Sequence, residues 1–273
     1  MQAAVNPGKV LLAAIASAAM AFSVLPARAD DPWPDIKRDV FENRDIAEED
    51  GTISLEAPYR AEDAAVVPLT MRIPASVARD VKTLTLIIEK NPAPVAATFH
   101  FGEAAGAGDR MLSTRVRIDL YSNVRAVIET TDGKLHMTTK YVKASGGCSA
   151  AAGKDMDEAL ASMGKMQIRT FEPATPPTSL PDMREALVMI RHPNFTGMQM
   201  DQLTREFTPM KIVQQIEVKR GGVLIFSVDG GISISENPNF QFTFAADGNA
   251  PIEVTAKDTD GRSFAGTSAD KAT

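Results

Sequence analysis

The chain has 273 residues, a formal net charge of −6 and a single cysteine. That acidity excludes a nucleic-acid partner, which needs a clustered basic face. A lone cysteine cannot pair within its own chain, and no His/Asp/Glu group has the spacing of metal ligands.

Residues 1–29 have the layout of an export signal. Lys9 supplies the early charge, Val10 to Val24 is apolar and alanine-rich, and Ala27-Arg28-Ala29 is a small-residue cleavage site. The apolar run is short and gives way to acidic, proline-rich sequence, so a membrane span is not expected. Its removal takes away Lys9 and Arg28 but no acid, which leaves the mature protein more acidic still. The expected location is the periplasm, an oxidising compartment. There a lone thiol stays free, pairs with another chain, or carries something.

After the signal, Trp33, Ile36 and Val40 recur at helical spacing, which predicts a short amphipathic helix anchored by Trp33. Leu55-Glu56-Ala57-Pro58 and Val66-Val67-Pro68-Leu69 read as short edge strands broken by prolines. Val81 to Ile88 and Ala96 to Phe101 are strands around an Asn91-Pro92-Ala93-Pro94 turn. Arg115 to Tyr121 alternates, with Val116, Ile118 and Leu120 expected inward and Arg115, Arg117 and Asp119 outward. Val124 to Thr130 and Lys134 to Val142 flank Asp132-Gly133, a signal for a type I′ hairpin.

Asp155, with Glu158 three residues on, predicts a capped helix that ends at Gly164. Beyond it the alternation returns. Strands are expected at Met166 to Phe171, Ala186 to Ile190, Ile212 to Lys219, Val223 to Val228, the run through Phe240, Phe242 and Phe244, Ile252 to Ala256 and Arg262 to Phe264. Pro173 to Pro181 reads as a loop, while Gly221-Gly222 and Asp260-Gly261 read as turns. The predicted class is all-β: two immunoglobulin-like β-sandwich domains joined by a short helix-containing linker.

The chemistry converges on Lys143-Ala144-Ser145-Gly146-Gly147-Cys148-Ser149-Ala150-Ala151-Ala152-Gly153. Glycines give a backbone little to pack around, so Gly146, Gly147 and Gly153 predict a flexible arm that holds Cys148 out in solvent. This makes Cys148 a candidate covalent attachment point. An exposed thiol of ordinary acidity, near 8.5, is only slightly ionised at neutral pH, with Lys143 and Lys154 adding little. As a catalytic nucleophile Cys148 would need a histidine base, with His136 the best of three candidates beside His100 and His192.

The order of motifs resembles a known pair of families. Leu55-Glu56-Ala57-Pro58, Asn91-Pro92-Ala93-Pro94, Arg115-Val116-Arg117, Asp132-Gly133-Lys134-Leu135 and Gly146-Gly147-Cys148 resemble SoxY. His192-Pro193, Thr196-Gly197 and Ser235 with Asn237-Pro238 before Phe240 resemble SoxZ. The chain thus resembles a fused SoxYZ-like carrier of the type associated with quinoprotein dehydrogenases. The resemblance implies a SoxY-like sandwich over 30–145, a carrier-cysteine segment with linker helix over 146–164, and a SoxZ-like sandwich over 165–273.

By the same resemblance the protein is not an enzyme. It would hold a sulfur or other thiol-reactive intermediate on Cys148, as in bacterial thiosulfate oxidation. Partner oxidoreductases in the periplasm, Sox-type enzymes or a quinoprotein dehydrogenase, would load and unload it. No cofactor is implied beyond the adduct. Two departures stand out: Ser149-Ala150 replaces the two glycines that follow the family's cysteine, and the arm is internal. A second reading is a non-catalytic binding module that dimerises through an intermolecular disulfide and serves a quinoprotein dehydrogenase. Both readings need the sulfur atom within reach of another protein.

Overall fold

Alternating apolar residues form fifteen strands among the described residues, and the strands form two sheets that run through both halves. The computed structural model describes residues 31–151, 156–171, 183–201, 204–246 and 249–268. The expected export signal, the expected cap at Asp155, Lys154, Gly153 and the expected loop at 173–181 lie outside the described residues.

The first half contains helix α1 (Trp33–Phe41), strands β1 (Ile46–Glu48), β2 (Ser54–Glu56) and β3 (Val67–Ile73), and a helical turn α2 (Ala75–Ala78). Strands β4 (Val81–Ile88), β5 (Val95–Phe101), β6 (Arg110–Val116), β7 (Ser122–Thr130) and β8 (Leu135–Val142) complete it. A short helix α3 (Met156–Ala161) leads to the second half. That half comprises β9 (Met166–Phe171), β10 (Met183–Ile190), β11 (Val213–Arg220), β12 (Val223–Gly230), β13 (Asn239–Ala245), β14 (Ile252–Asp258) and β15 (Ser263–Thr267).

The nine-stranded sheet runs β1-β8-β7-β4-β5-β12-β11-β14-β15, and the six-stranded sheet runs β2-β3-β6-β13-β10-β9. Antiparallel pairing of β5 with β12 (Phe99 opposite Val228) and of β6 with β13 (Leu112 opposite Phe242) makes both sheets continuous across the halves. The sequence predicts two sandwich domains joined by a short helix-containing linker. The all-β, sandwich-like character holds, but the halves meet edge to edge and share one core. Unpaired strand edges are liabilities, and mutual pairing removes two edges from each half, one in each sheet.

Aromatic residues fill the seam. Phe99 lies 6.0 Å from both Phe226 and Phe240, and Phe226 meets Phe242 edge-on at 4.8 Å. Strand β4 is buried on both faces. Leu84, Leu86 and Ile88 join the shared core, while Ile87 packs with Ile36 and Phe41 of α1. The amphipathic helix thus covers the outer face of the large sheet. Arg125 stacks 4.1 Å over the Trp33 ring, so the tryptophan is a packing anchor, as its spacing indicated.

Two local readings change. Only Gly133 takes a positive φ (83°) in the β7–β8 connection, whereas a type I′ turn needs two left-handed residues. The alternation expected from Arg115 to Tyr121 stops at Val116, where β6 ends. Beyond that point the backbone leaves the sheet, so period-two facing no longer applies. Leu120 is 51% exposed, and Arg117, expected outside, is 1% exposed.

Candidate functional site

Strand β8 delivers the chain to a tight turn at the seam instead of a free arm. Gly146 donates its N–H to the Asp119 carbonyl (2.8 Å), and Gly147 donates to the Ile118 carbonyl (3.0 Å). The Cys148 N–H points at Asp119 Oδ1 (3.3 Å), and the Thr196 hydroxyl donates to the Cys148 carbonyl (2.7 Å). Arg117 Nη1 donates to the Gly147 carbonyl (3.2 Å). Four of these ties reach the segment just after β6, Arg117 to Asp119, and one reaches Thr196, so the turn is docked from both halves.

The expectation of a flexible, solvent-held arm is therefore overturned. Cys148 is a free thiol with 0% exposure, and Gly147 is also buried. The physical reason lies in Gly147 itself. A Cβ there would sit 2.1 Å from the Ala64 carbonyl oxygen and 2.7 Å from that of Ile118. The missing side chain lets two backbones touch and hydrogen-bond. Gly146 serves conformation, with a φ of 78° and open space around it. Gly153 lies outside the described residues.

Burial changes the thiol's chemistry. Loss of solvation pushes the Cys148 thiol up to about 11; the nearby Asp119 carboxylate adds to the rise and the Arg117 guanidinium opposes it. At neutral pH the docked cysteine is a neutral thiol, less nucleophilic than the exposed one expected. Arg117 is itself held below its usual range, chiefly by burial.

The candidate bases are engaged elsewhere. His136 pairs with Asp50, and His100 with Asp229 at 3.0 Å. His192 is buried, with Nδ1 beside Asn194 Oδ1 (2.8 Å) and accepting the Asn194 N–H (3.1 Å). Burial lowers its pKa. No histidine contributes to the thiol's electrostatics. Lys143 lies 4.7 Å over the Tyr59 ring. Among the described residues no His/Cys/Asp/Glu group is arranged to hold a metal ion, and no helix is long and apolar enough to cross a membrane.

Sequence reasoning missed three contributors, Arg117, Asp119 and Thr196. Thr196 belongs to a rigid block in which Asn194 Nδ2 donates to the Ile234 and Ser235 carbonyls (both 3.2 Å). In the same block Asn194 Oδ1 accepts the Val213 N–H (3.0 Å). The His192-Pro193-Asn194-Phe195-Thr196 motif was visible in the sequence. Its use as a brace for the hydroxyl that caps Cys148 was not, because that contact spans 48 positions.

The family model described as "Sulfur oxidation protein SoxY" matches residues 37–148, so its last matched residue is the cysteine. The model described as "Sulphur oxidation protein SoxZ" matches residues 176–269. The chain is a SoxY–SoxZ fusion. Its SoxY half supplies Arg117, Asp119 and the cysteine turn, and its SoxZ half supplies Thr196.

One similar solved structure is the sulfur carrier protein SoxY from Chlorobium limicola f thiosulfatophilum. It is 25% identical, covers 41% of this chain and 91% of its own, and has a TM-score of 0.33. A beta-glycosidase from Bacteroides vulgatus matches at 6% identity over 79% of this chain and 24% of its own, with a TM-score of 0.23. Superpositions at these scores carry no argument, and the assignment rests on the two family models. No curated protein matches the chain.

Proposed function

We propose that this SoxYZ fusion is a periplasmic carrier. It holds a sulfur or other thiol-reactive intermediate as a covalent adduct on Cys148 and passes it between partner oxidoreductases. The observation that carries the reading is positional. The one cysteine of the chain is the residue at which the SoxY match ends, and it sits where the SoxZ half closes over it.

A sealed thiol constrains the mechanism. The docked turn is the resting state, and loading requires it to lift away from Asp119, Arg117 and Thr196. Those ties are a few hydrogen bonds, each with a modest net contribution of about 1 kcal/mol, or about 2 where a charge takes part. Local opening at such a cost is within ordinary native-state fluctuation. A lifted Cys148 loses the burial that holds its proton, so opening also activates it. Partners of the Sox type, or a quinoprotein dehydrogenase, would capture the lifted turn.

Intact mass of the protein isolated from its native host without reductant tests the reading. The expected result is a mass increment that reductant removes and that Cys148→Ser lacks. An unmodified thiol under conditions of active sulfur oxidation, or a doubled mass, would overturn it.

A further inference from the structure

Arg117 is almost completely buried at 1% exposure, yet its guanidinium makes a single hydrogen bond, from Nη1 to the Gly147 carbonyl. Its Nε and Nη2 are buried and meet no acceptor among the described residues. The carboxylates of Glu236 and Asp63 influence its charge without bonding to it, and so does Cys148. Unsatisfied buried donors on a cation are costly and rare, and each one calls for a reason. The natural complement of a guanidinium fork with free donors is an oxyanion, which accepts two parallel bonds.

The position of that fork decides the role. Asp119 and Thr196 hold the N–H and carbonyl of Cys148, while Arg117 holds the carbonyl just before it. When the turn lifts, Arg117 loses its only acceptor as the sulfur becomes free. We infer that Arg117 is the receptor for the anionic sulfur group that Cys148 carries, and that it keeps the turn shut by gripping the Gly147 carbonyl until an oxyanion takes that place. The exchange is favourable because an oxyanion carries a full opposite charge and accepts two parallel bonds from the guanidinium fork, where the Gly147 carbonyl accepts one. The inference rests on the reading of Cys148 as the attachment point.

Inorganic sulfate serves as an unreactive sulfur oxyanion, with sodium chloride at equal ionic strength as reference. Opening is read from the rate at which neutral 4,4′-dithiodipyridine labels Cys148. In that reaction the thiolate attacks one sulfur of the reagent, its disulfide breaks, and pyridinethiolate leaves with the electron pair and takes up a proton. Sulfate is excluded from protein surfaces and favours compact states, so in the absence of a site it slows labelling. The expected result is a several-fold acceleration. Arg117→Gln should label about tenfold faster in chloride, having lost a charge-assisted bond, and should show no acceleration by sulfate. Asp119→Asn should also label faster but keep its response to sulfate.

Should Arg117→Gln fail to fold, Arg117→Lys keeps the charge without the fork and should lose most of the response. A wild-type rate unmoved or slowed by sulfate overturns the inference, as does a full response in either Arg117 variant. The result is separable from the carrier reading. Labelling needs no cargo, so a sulfate response in a protein that never acquires an adduct would leave Arg117 an anion receptor and remove the carrier.

Discussion

Two of the three Gly-Gly pairs in this chain, Gly221-Gly222 and Gly146-Gly147, look alike and do opposite work. Gly221-Gly222 joins β11 to β12 with both residues left-handed, at φ of 53° and 79°, and Gly222 has open space where a side chain would go. Gly146-Gly147 has one left-handed residue and one with no space at all. The first pair supplies conformation, as a two-residue hairpin turn requires. The second pair supplies both conformation and absence, so that a backbone carrying the only cysteine can lie against Ala64 and Ile118. A glycine pair marks flexibility only when nothing is packed where the side chains would be.

The largest effect that tests this contrast is expected at Gly147. Gly147→Ala forces a methyl group to within 2.1 Å of a backbone oxygen, and neither strand end has a flexible side chain to give way. The turn should fail to dock. A loss of about 3 kcal/mol in denaturant unfolding is expected, in the upper range for overpacking, together with fast labelling of Cys148. A variant with wild-type midpoint and a still-protected thiol would show that the docked turn is not held by this close approach.

What the sequence made legible follows from the range of the forces involved. Strand β13 was readable because Phe240, Phe242 and Phe244 alternate, and all three are buried. Most other strands were visible for the same reason. The seam between β5 and β12 was not, since edge pairing joins residues more than 100 positions apart and leaves no local pattern. Strand β1 is only three residues long and pairs in parallel with β8, below the length at which alternation means anything. Cys148 and its glycines drew notice by composition, yet their burial depends on Ala64, Ile118 and Thr196, which nothing local links to them. Arg117 was misplaced because alternation was carried to Tyr121, past the end of β6 at Val116.

A second effect, somewhat smaller, separates the two glycine turns by pH. The unfolded Cys148 thiol loses its proton near the ordinary value of 9.0, whereas the docked thiol keeps it to about 11. The unfolded state therefore binds fewer protons between those values, and stability falls as pH rises. The contribution is intact below pH 9 and declines by about 1.4 kcal/mol per pH unit above it, to a total between 2 and 3. Cys148→Ser should remove that slope from the alkaline limb of the pH–stability curve. An unchanged slope in the serine variant would mean that the thiol titrates normally and that the turn is open much of the time.

The smallest effect belongs to the other pair and serves as the control for both. Gly222→Ala introduces no clash, because nothing lies within 4 Å of the new methyl group. It does place an L-residue at a φ of 79°, a strain of about 1 kcal/mol. The hairpin is remote from Asp119 and Thr196 in its bonding, so Cys148 labelling and its response to sulfate should match wild type. A drop near 1 kcal/mol with an untouched thiol would show that strain in one glycine turn does not open the other. Accelerated labelling in Gly222→Ala would mean that any loss of stability frees the cysteine. The turn at Gly147 would then be a passive reporter of global unfolding, not a latch that opens on its own.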